Sequence, residues 1–402
     1  MAQESTRVIG GVDTHKDVHV AALVDDRGKL LDAAEFPTTA SGYAKLLTWM
    51  QSFGTLDKVG VEGTGAYGAG LARYLATKGI TVVEVNRPNR QMRRRRGKSD
   101  SVDAEAAARA ALNDEATVVP KSKDSLVESI RVLRVAYTSA RNSRTRTTLQ
   151  IRDLVLTGST QLRAVLGPLT SEARATACAR LRPGEVTDPA EATKYALRSL
   201  ARRHQSLTAE MADLNASLDE LTALANPALR AAKGVGPDVA AILLVAAGDN
   251  PERLSSEAGF AALCGASPIE ASSGKVNRHR LNRSGNRQAN HALWRIAMTR
   301  LVTDPATKAY MVRRTAEGKT RREVVRCLKR YIAREMFQLL TNPSLVPVGM
   351  KLRVTRTDAR VTLATAATAM GTTGTTISRL ERGIQHNSEL ARRYEEWLRT
   401  AS

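Results

Sequence analysis

Aromatic residues make up only 4% of this 402-residue chain. That scarcity argues against a protein that holds single-stranded bases by stacking. Cysteine is scarcer still: Cys178, Cys264 and Cys327, an odd number with no CxxC pair. A cysteine-built zinc module is excluded, and a reducing compartment is expected. No apolar run reaches the length of a membrane span. The opening residues, MAQESTRVIGG, lack the apolar core of a signal peptide. The expectation is a cytoplasmic protein with no membrane partner. Acidic residues are also in short supply. Lys and Arg number 61 against 40 Asp and Glu, a formal net charge of +21. Such a surplus calls for a polyanion, most simply nucleic acid.

The length suits two or three domains, and 42% hydrophobic residues suffice for real cores. Residues 7–110 read as an α/β unit within a first domain, 1–123. RVIGGVDTHKDVHVAALVDDRGKLLDAAEF carries two or three strands, with DDRG as a tight turn. TASGYAKLLTWMQSF is an amphipathic helix, KVGVEG a strand and AYGAGLARYLATKG a helix closed by Gly79. ITVVEVN is a further strand, and the alanine-rich stretch after Asp103 a further helix. The order β-β-β-α-β-α-β-α predicts an RNase H-like (RuvC-like) fold: an antiparallel meander, then parallel strands with crossover helices.

Residues 124–225 have helical spacing and arginine-rich polar faces, which suits a helical or coiled-coil arm. Residues 226–345 open with NPALRAAKGVGPDVAAILLVAAGD, the pattern of a helix-hairpin-helix. Its Gly234 and Gly236 would let backbone N–H groups approach a phosphate. Residues 355–402 read as an all-α helix-turn-helix tail with its turn at Gly371. Leu363, Ala367, Ile377 and Leu380 would form its core, and Thr373, Thr375, Thr376 and Arg379 would face DNA. Gly374 is expected inside the second helix, an unfavourable position by about 1 kcal/mol relative to Ala.

Four carboxylates stand at element ends. Asp13 ends the first strand, Glu62 a later one, and Asp100 and Asp103 open the last helix of the α/β unit. An i, i+3 pair shares a helix face. Clustered carboxylate oxygens suit Mg²⁺ or Mn²⁺, and two such ions about 4 Å apart can serve phosphodiester cleavage. Alternatively, Asp100 suits an N-cap and Asp103 favours the helix dipole. Asp25 and Asp26 belong to a turn, Glu105 is expected in solvent, and His15 and His19 are taken as structural or substrate-facing. Directly before the pair lies the chain's densest positive run, Arg93, Arg94, Arg95, Arg96 and Lys98, suited to gripping a nucleic-acid backbone.

D-T-H-K, V-E-x-T-G and K-S-D-x-x-D-A, together with GVGPDVAAILLVAAGD and PIEASSGKVNRHRLNRSGNRQAN, resemble the DEDD-type transposases of bacterial insertion sequences. The resemblance covers roughly residues 7–345. It implies a RuvC-like domain whose acidic quartet falls on Asp13, Glu62, Asp100 and Asp103, and a helical arm leading to a transposase domain. It also implies a serine that attacks DNA and becomes covalently attached to it. Counting back from Gly285-Asn286 selects Ser272; matching the Ser-Gly dipeptide selects Ser273. Lys275, Arg278, Arg280, Arg283 and Arg287 could stabilise the pentavalent phosphate. The implied partners are double-stranded DNA at element ends and target, a structured guide RNA, and further copies of the chain in a dimer or tetramer. The tail lies outside the usual family pattern. Two rival functions are compatible with the same residues: a RuvC-like Holliday-junction nuclease without a serine intermediate, and a non-catalytic helix-turn-helix regulator.

Overall fold

The strand Arg7–Thr14 (β1), buried along six consecutive residues, organises the N-terminal α/β unit. The computed structural model describes residues 6–85, 99–122, 125–250, 254–272, 279–342, 348–381 and 387–401. It divides into two compact units, Met1–Lys123 and Asp124–Ser402. In the first, β1 pairs antiparallel with Val18–Asp25 (β2), which pairs antiparallel with Leu30–Pro37 (β3). On its other side β1 runs parallel to Thr55–Glu62 (β4), and β4 runs parallel to Thr81–Val85 (β5). The sheet order is therefore β3-β2-β1-β4-β5, and the mixed α/β unit is consistent with the expected RNase H-like domain.

Successive strand residues point to opposite faces. Val8, Val12, Val59 and Val61 pack with Leu46, Met50, Leu71 and Leu75 of the helices Ala40–Gln51 (α1) and Ala69–Thr77 (α2). Ile9 packs on the other face with Ala107, Ala108 and Ala111 of Asp100–Leu112 (α3). Gly11 and Gly60 share that second face. A Cβ on Gly11 would lie 2.1 Å from the Ala108 amide nitrogen and 2.2 Å from the Ala104 carbonyl oxygen. One on Gly60 would lie 2.5 Å from the Ala107 carbonyl oxygen. Bare backbone on the strands and alanine on the helix let α3 rest directly on the sheet. Asp13 and Glu62 lie two residues beyond these glycines, so both fall on the α3 face at neighbouring strand ends.

The second unit is mainly helical. Leu126–Thr157 (α4) and Pro189–Ala225 (α7) flank the short helices Thr160–Leu166 (α5) and Ser171–Ala179 (α6). Ile130 shares a core with Leu218, while Ile151 and Val155 share another with Leu197 and Ala201. The start of α4 thus meets the end of α7, and the two long helices run antiparallel. Ile130 and Leu218 root them in a core formed with Pro227–Ala231, Pro237–Ala247, Glu257–Leu263, Arg287–Thr303 and Arg321–Thr341. The helices Val348–Asp358, Leu363–Met370, Gly374–Glu381 and Ser388–Ala401 share a separate core. The first of them runs through residue 355, where the sequence pattern starts the tail, and places Leu352 in that core. No described helix is long and apolar enough to cross a membrane.

Candidate functional site

The N-terminus of α3 meets the end of β1. Asp13 is buried, Asp103 is buried and Asp100 is exposed. His15, just past the strand, brings its Nε2 to 3.2 Å from Asp13 Oδ2 and 3.4 Å from Asp100 Oδ2. One donor atom each from Asp13, His15 and Asp100 lie within 4.8 Å of one another. Burial pushes the Asp13 carboxyl above its ordinary pKa; His15 opposes that shift, and the charges of Asp103 and Asp100 add to it. Glu62 follows the last β1–β4 pair, Val12–Val61, and its carbonyl accepts a 2.9 Å hydrogen bond from Thr14 Oγ1. Asp103 and Glu62 stand outside the tight group of three. A cleft of about 500 Å³ opens beside it, lined among others by His15, Lys16, Asp17, Glu35, Tyr67 and Asp100.

Several local expectations change. Ser99, rather than Asp100, caps α3, its hydroxyl accepting from the Val102 amide. Asp100 is thereby the first helical residue. Glu105 is buried and not in solvent; Arg109, one turn on, donates to it through both Nε and Nη2 at 2.8 and 2.6 Å. His15 joins the carboxylates, a role the HxxxH spacing with His19 does not suggest. The informative spacing is Asp13-x-His15, because residues two apart share one side of extended backbone. His19 is fully buried against Tyr43 and belongs to the core. Arg93 to Arg96 and Lys98 lie outside the described residues.

The serine segment joins the two halves of a short antiparallel ladder, Ile269–Glu270 with His279–Arg280. Ser272 is exposed; Ser273, Lys275 and Arg278 lie outside the described residues. Arg280, Arg283 and Arg287 are exposed. Asn286 caps Arg287–Thr303 and anchors the approach, its amide donating to the Leu263 carbonyl at 2.6 Å. Gly234 adopts φ 86° between Pro227–Ala231 and Pro237–Ala247, and Gly236 opens the second helix without a side-chain cap. Just inside that helix, buried Asp238 pairs with Arg134 and Arg295, and Arg134 also donates to Gln288 at 2.6 Å. In the tail, Thr375 and Arg379 are exposed. Thr373 instead accepts from the Thr376 amide and holds the Thr376 hydroxyl at 2.9 Å, so both work in the turn. Gly374 is the first residue of its helix rather than an interior one.

A mixed five-stranded sheet with carboxylates gathered where a strand end meets a helix N-terminus, followed by a helical region, is consistent with a DEDD-type, RNase H-like domain. A transposase family model matches residues 10–159, and a model of the transposase IS116/IS110/IS902 family matches residues 226–312. Residues of the Streptomyces coelicolor protein called insertion element IS110 uncharacterized 43.6 kDa protein are 32% identical to this chain over 159 positions. That alignment covers 38% of this chain and 38% of the relative, well under half of either. The chain belongs to the IS110 family of DEDD-type transposases.

Proposed function

We propose that the protein cuts and rejoins DNA as the transposase of an insertion sequence. The observation that carries this reading is the convergence of Asp13, Asp100 and His15 at the α3 N-terminus beside an open cleft. Burial above all, with the like charges of Asp103 and Asp100 adding to it, raises the Asp13 pKa, and a divalent cation would relieve that repulsion. Oxygen donors from Asp13, Asp100, Asp103 and Glu62 suit Mg²⁺, and the His15 nitrogen suits Mn²⁺ as well. When bound, such ions stabilise the entering and leaving oxygens of a phosphodiester. The chain's own part is to hold these donors on rigid elements and leave one side open for DNA.

In the second unit, Ser272 or Ser273 is the nucleophile. Its Oγ–P bond forms as the P–O bond to a deoxyribose oxygen breaks, the serine proton leaving and the freed oxygen becoming a hydroxyl. Attack by a second hydroxyl releases the serine and seals a new strand. Exposed Arg280, Arg283 and Arg287, with Lys275 and Arg278, would stabilise the pentavalent phosphate. The Gly234–Gly236 turn acts as a helix-hairpin-helix phosphate contact, and the tail as a helix-turn-helix. The positive run Arg93 to Arg96 with Lys98 grips the nucleic-acid backbone. Element ends, target duplex and a structured guide RNA are the partners, within a dimer or tetramer.

The test is a DNA duplex carrying the sequences that flank the gene, incubated with the full chain, its copurified RNA and Mg²⁺ or Mn²⁺. A covalent protein–DNA adduct is expected, lost when Ser272 and Ser273 are both changed to Ala and lost with Asp13→Asn. Cleavage without an adduct would favour the junction-nuclease chemistry. A double serine variant that still recombines DNA would overturn the serine mechanism, and copurification of no specific RNA would remove the guide.

A further inference from the structure

The tail carries an exposed surface whose chemistry is unlike that of the carboxylate site. Leu363–Met370 ends on Gly371 in the left-handed conformation, φ 64°, where a side chain would be strained. Thr373 then caps the next helix, Gly374–Glu381, through the Thr376 amide at 3.2 Å. Ala366, Ala367 and Met370 of the first helix and Ile377 and Leu380 of the second are buried in one core. These are the parts of a helix-turn-helix, and the DNA-reading role assigned to them rests on the tail having that form.

The second helix is fastened at its far end. Glu381, 2% exposed, accepts from Arg356 Nε at 2.6 Å and Nη2 at 3.1 Å, and from the Tyr394 hydroxyl at 2.7 Å. Arg356 spends a further N–H on the Val361 carbonyl at 2.7 Å. The network ties the helix to the first and last helices of the tail, leaving its opposite face outward. On that face stand Thr375 and Arg379, one turn apart and both exposed. The only carboxylate in Gly374–Glu381 is the buried one, and Leu363–Met370 has no charged residue. The outward chemistry of the pair is therefore hydroxyls, methyls and one guanidinium, with no acid to repel a phosphate.

That set matches the floor of a B-form major groove. An arginine can take guanine O6 and N7 together, and a threonine offers a methyl to thymine or a hydroxyl to a base edge. An A-form RNA groove is too deep and narrow to admit such a helix. We propose that residues 363–381 form a sequence-reading site for duplex DNA in which Arg379 selects a guanine and Thr375 the adjoining base. The tail then contributes a recognition site read by protein, in addition to any read by base pairing.

The experiment is selection from a random duplex library by the full-length chain after ribonuclease treatment. Wild type is expected to enrich a short motif with a fixed guanine. Arg379→Ala should flatten the preference at that base and weaken binding to the best site by about 10-fold, with non-specific affinity little changed. Thr375→Ala should relax the neighbouring position. Unchanged hydrogen-exchange protection of residues 388–401 will show that the variants fold. No enriched motif, a motif indifferent to both variants, or structured RNA displacing the selected duplex would overturn the proposal. A chain that cleaves DNA yet enriches no motif overturns this assignment alone. One that enriches an Arg379-dependent motif yet leaves DNA intact overturns the cleavage reading alone.

Discussion

Asp13 and Glu381 are both buried carboxylates, in opposite electrostatic settings. Glu381 receives two N–H groups from Arg356 and one O–H from Tyr394, and Arg356 itself is buried. Its charge is answered within the protein. Asp13 faces Asp100 and Asp103, with His15 Nε2 at 3.2 Å, beside a cleft. Burial costs a carboxylate free energy unless something compensates it. In the tail an arginine compensates, and the result is a fastening. At the β1 end like charges are gathered instead, the setting that the proposed cation would relieve. Burial alone does not separate structural from chemical acids; the balance of charge around them does.

The largest effect should come from breaking the backbone contact that gathers the Asp13 cluster. Gly11→Val would drive a side chain into the Ala104 carbonyl and the Ala108 amide, and backbone cannot swing aside as a side-chain tip can. We expect a loss of about 4 kcal/mol or more, seen as collapse of hydrogen-exchange protection over residues 7–85 and 100–112. Protection within residues 348–381 and 388–398, which have their own core, should persist. The next effect tests the closed pair. Glu381→Ala strands Arg356 in a buried position, at a cost of about 3–5 kcal/mol, read as lost protection in the tail helices. Replacing both partners, Arg356→Met with Glu381→Leu, should recover much of it; a double variant as unstable as the single would mean the pair does more than close a charge.

The sheet is legible in the sequence because V-I-G-G-V-D is a short apolar and glycine run that ends on an acid, K-V-G-V-E repeats the device one strand over, and strand alternation turns successive residues to opposite faces. The same alternation places Asp13 and Glu62 beyond the two glycines. The face of α3 is harder to read. Six of its thirteen residues are alanine, placed on more than one side, so no sharp apolar stripe marks the buried face. That is why Glu105 reads as solvated, although Arg109 at i+4 covers it. Ser99 is hidden as a cap by the acid that follows it. His15 is hard to place because His19, four residues on, is the more conspicuous companion than Asp13, two residues back. The segment Ile269–Glu270 and His279–Arg280 forms strands of two residues, too short for any period to show. The start of the tail is blurred because Val348–Asp358 is mostly polar outside Leu352.

Asp13→Asn probes the open side of the comparison. Removing one of several gathered negative charges should leave the metal-free fold as stable as wild type or slightly more so. Mn²⁺ binding, followed by paramagnetic resonance, should weaken strongly, and DNA cleavage should fall by at least about 10²-fold. His15→Ala should weaken Mn²⁺ more than Mg²⁺, since only the softer ion gains from an imidazole donor. Equal losses for both ions would make His15 a hydrogen-bonding neighbour of the carboxylates and not a ligand.

The smallest effect is expected at His19, which tests whether burial of an unanswered polar group outside the site matters. Its ring is fully buried and stacks on Tyr43 at 5.7 Å between centroids. Neither ring nitrogen makes a well-formed hydrogen bond among the described residues, and the Val18 backbone only partly offsets the effect of burial. Burial first, and His15 second, lower its pKa from 6.5 to about 4. The folded chain therefore keeps His19 neutral where the unfolded chain takes up a proton. Its contribution to stability is fully present above pH 6.5 and is lost as pH falls from there through 4, by up to about 3 kcal/mol. His19→Phe keeps the stack and removes both nitrogens. The variant should gain about 1 kcal/mol at pH 7 and lose less stability than wild type on acidification to pH 4.5, measured by urea denaturation. Equal losses in the two proteins would assign the acid sensitivity to the carboxylates, and would mean that the buried imidazole finds its protons as easily folded as unfolded.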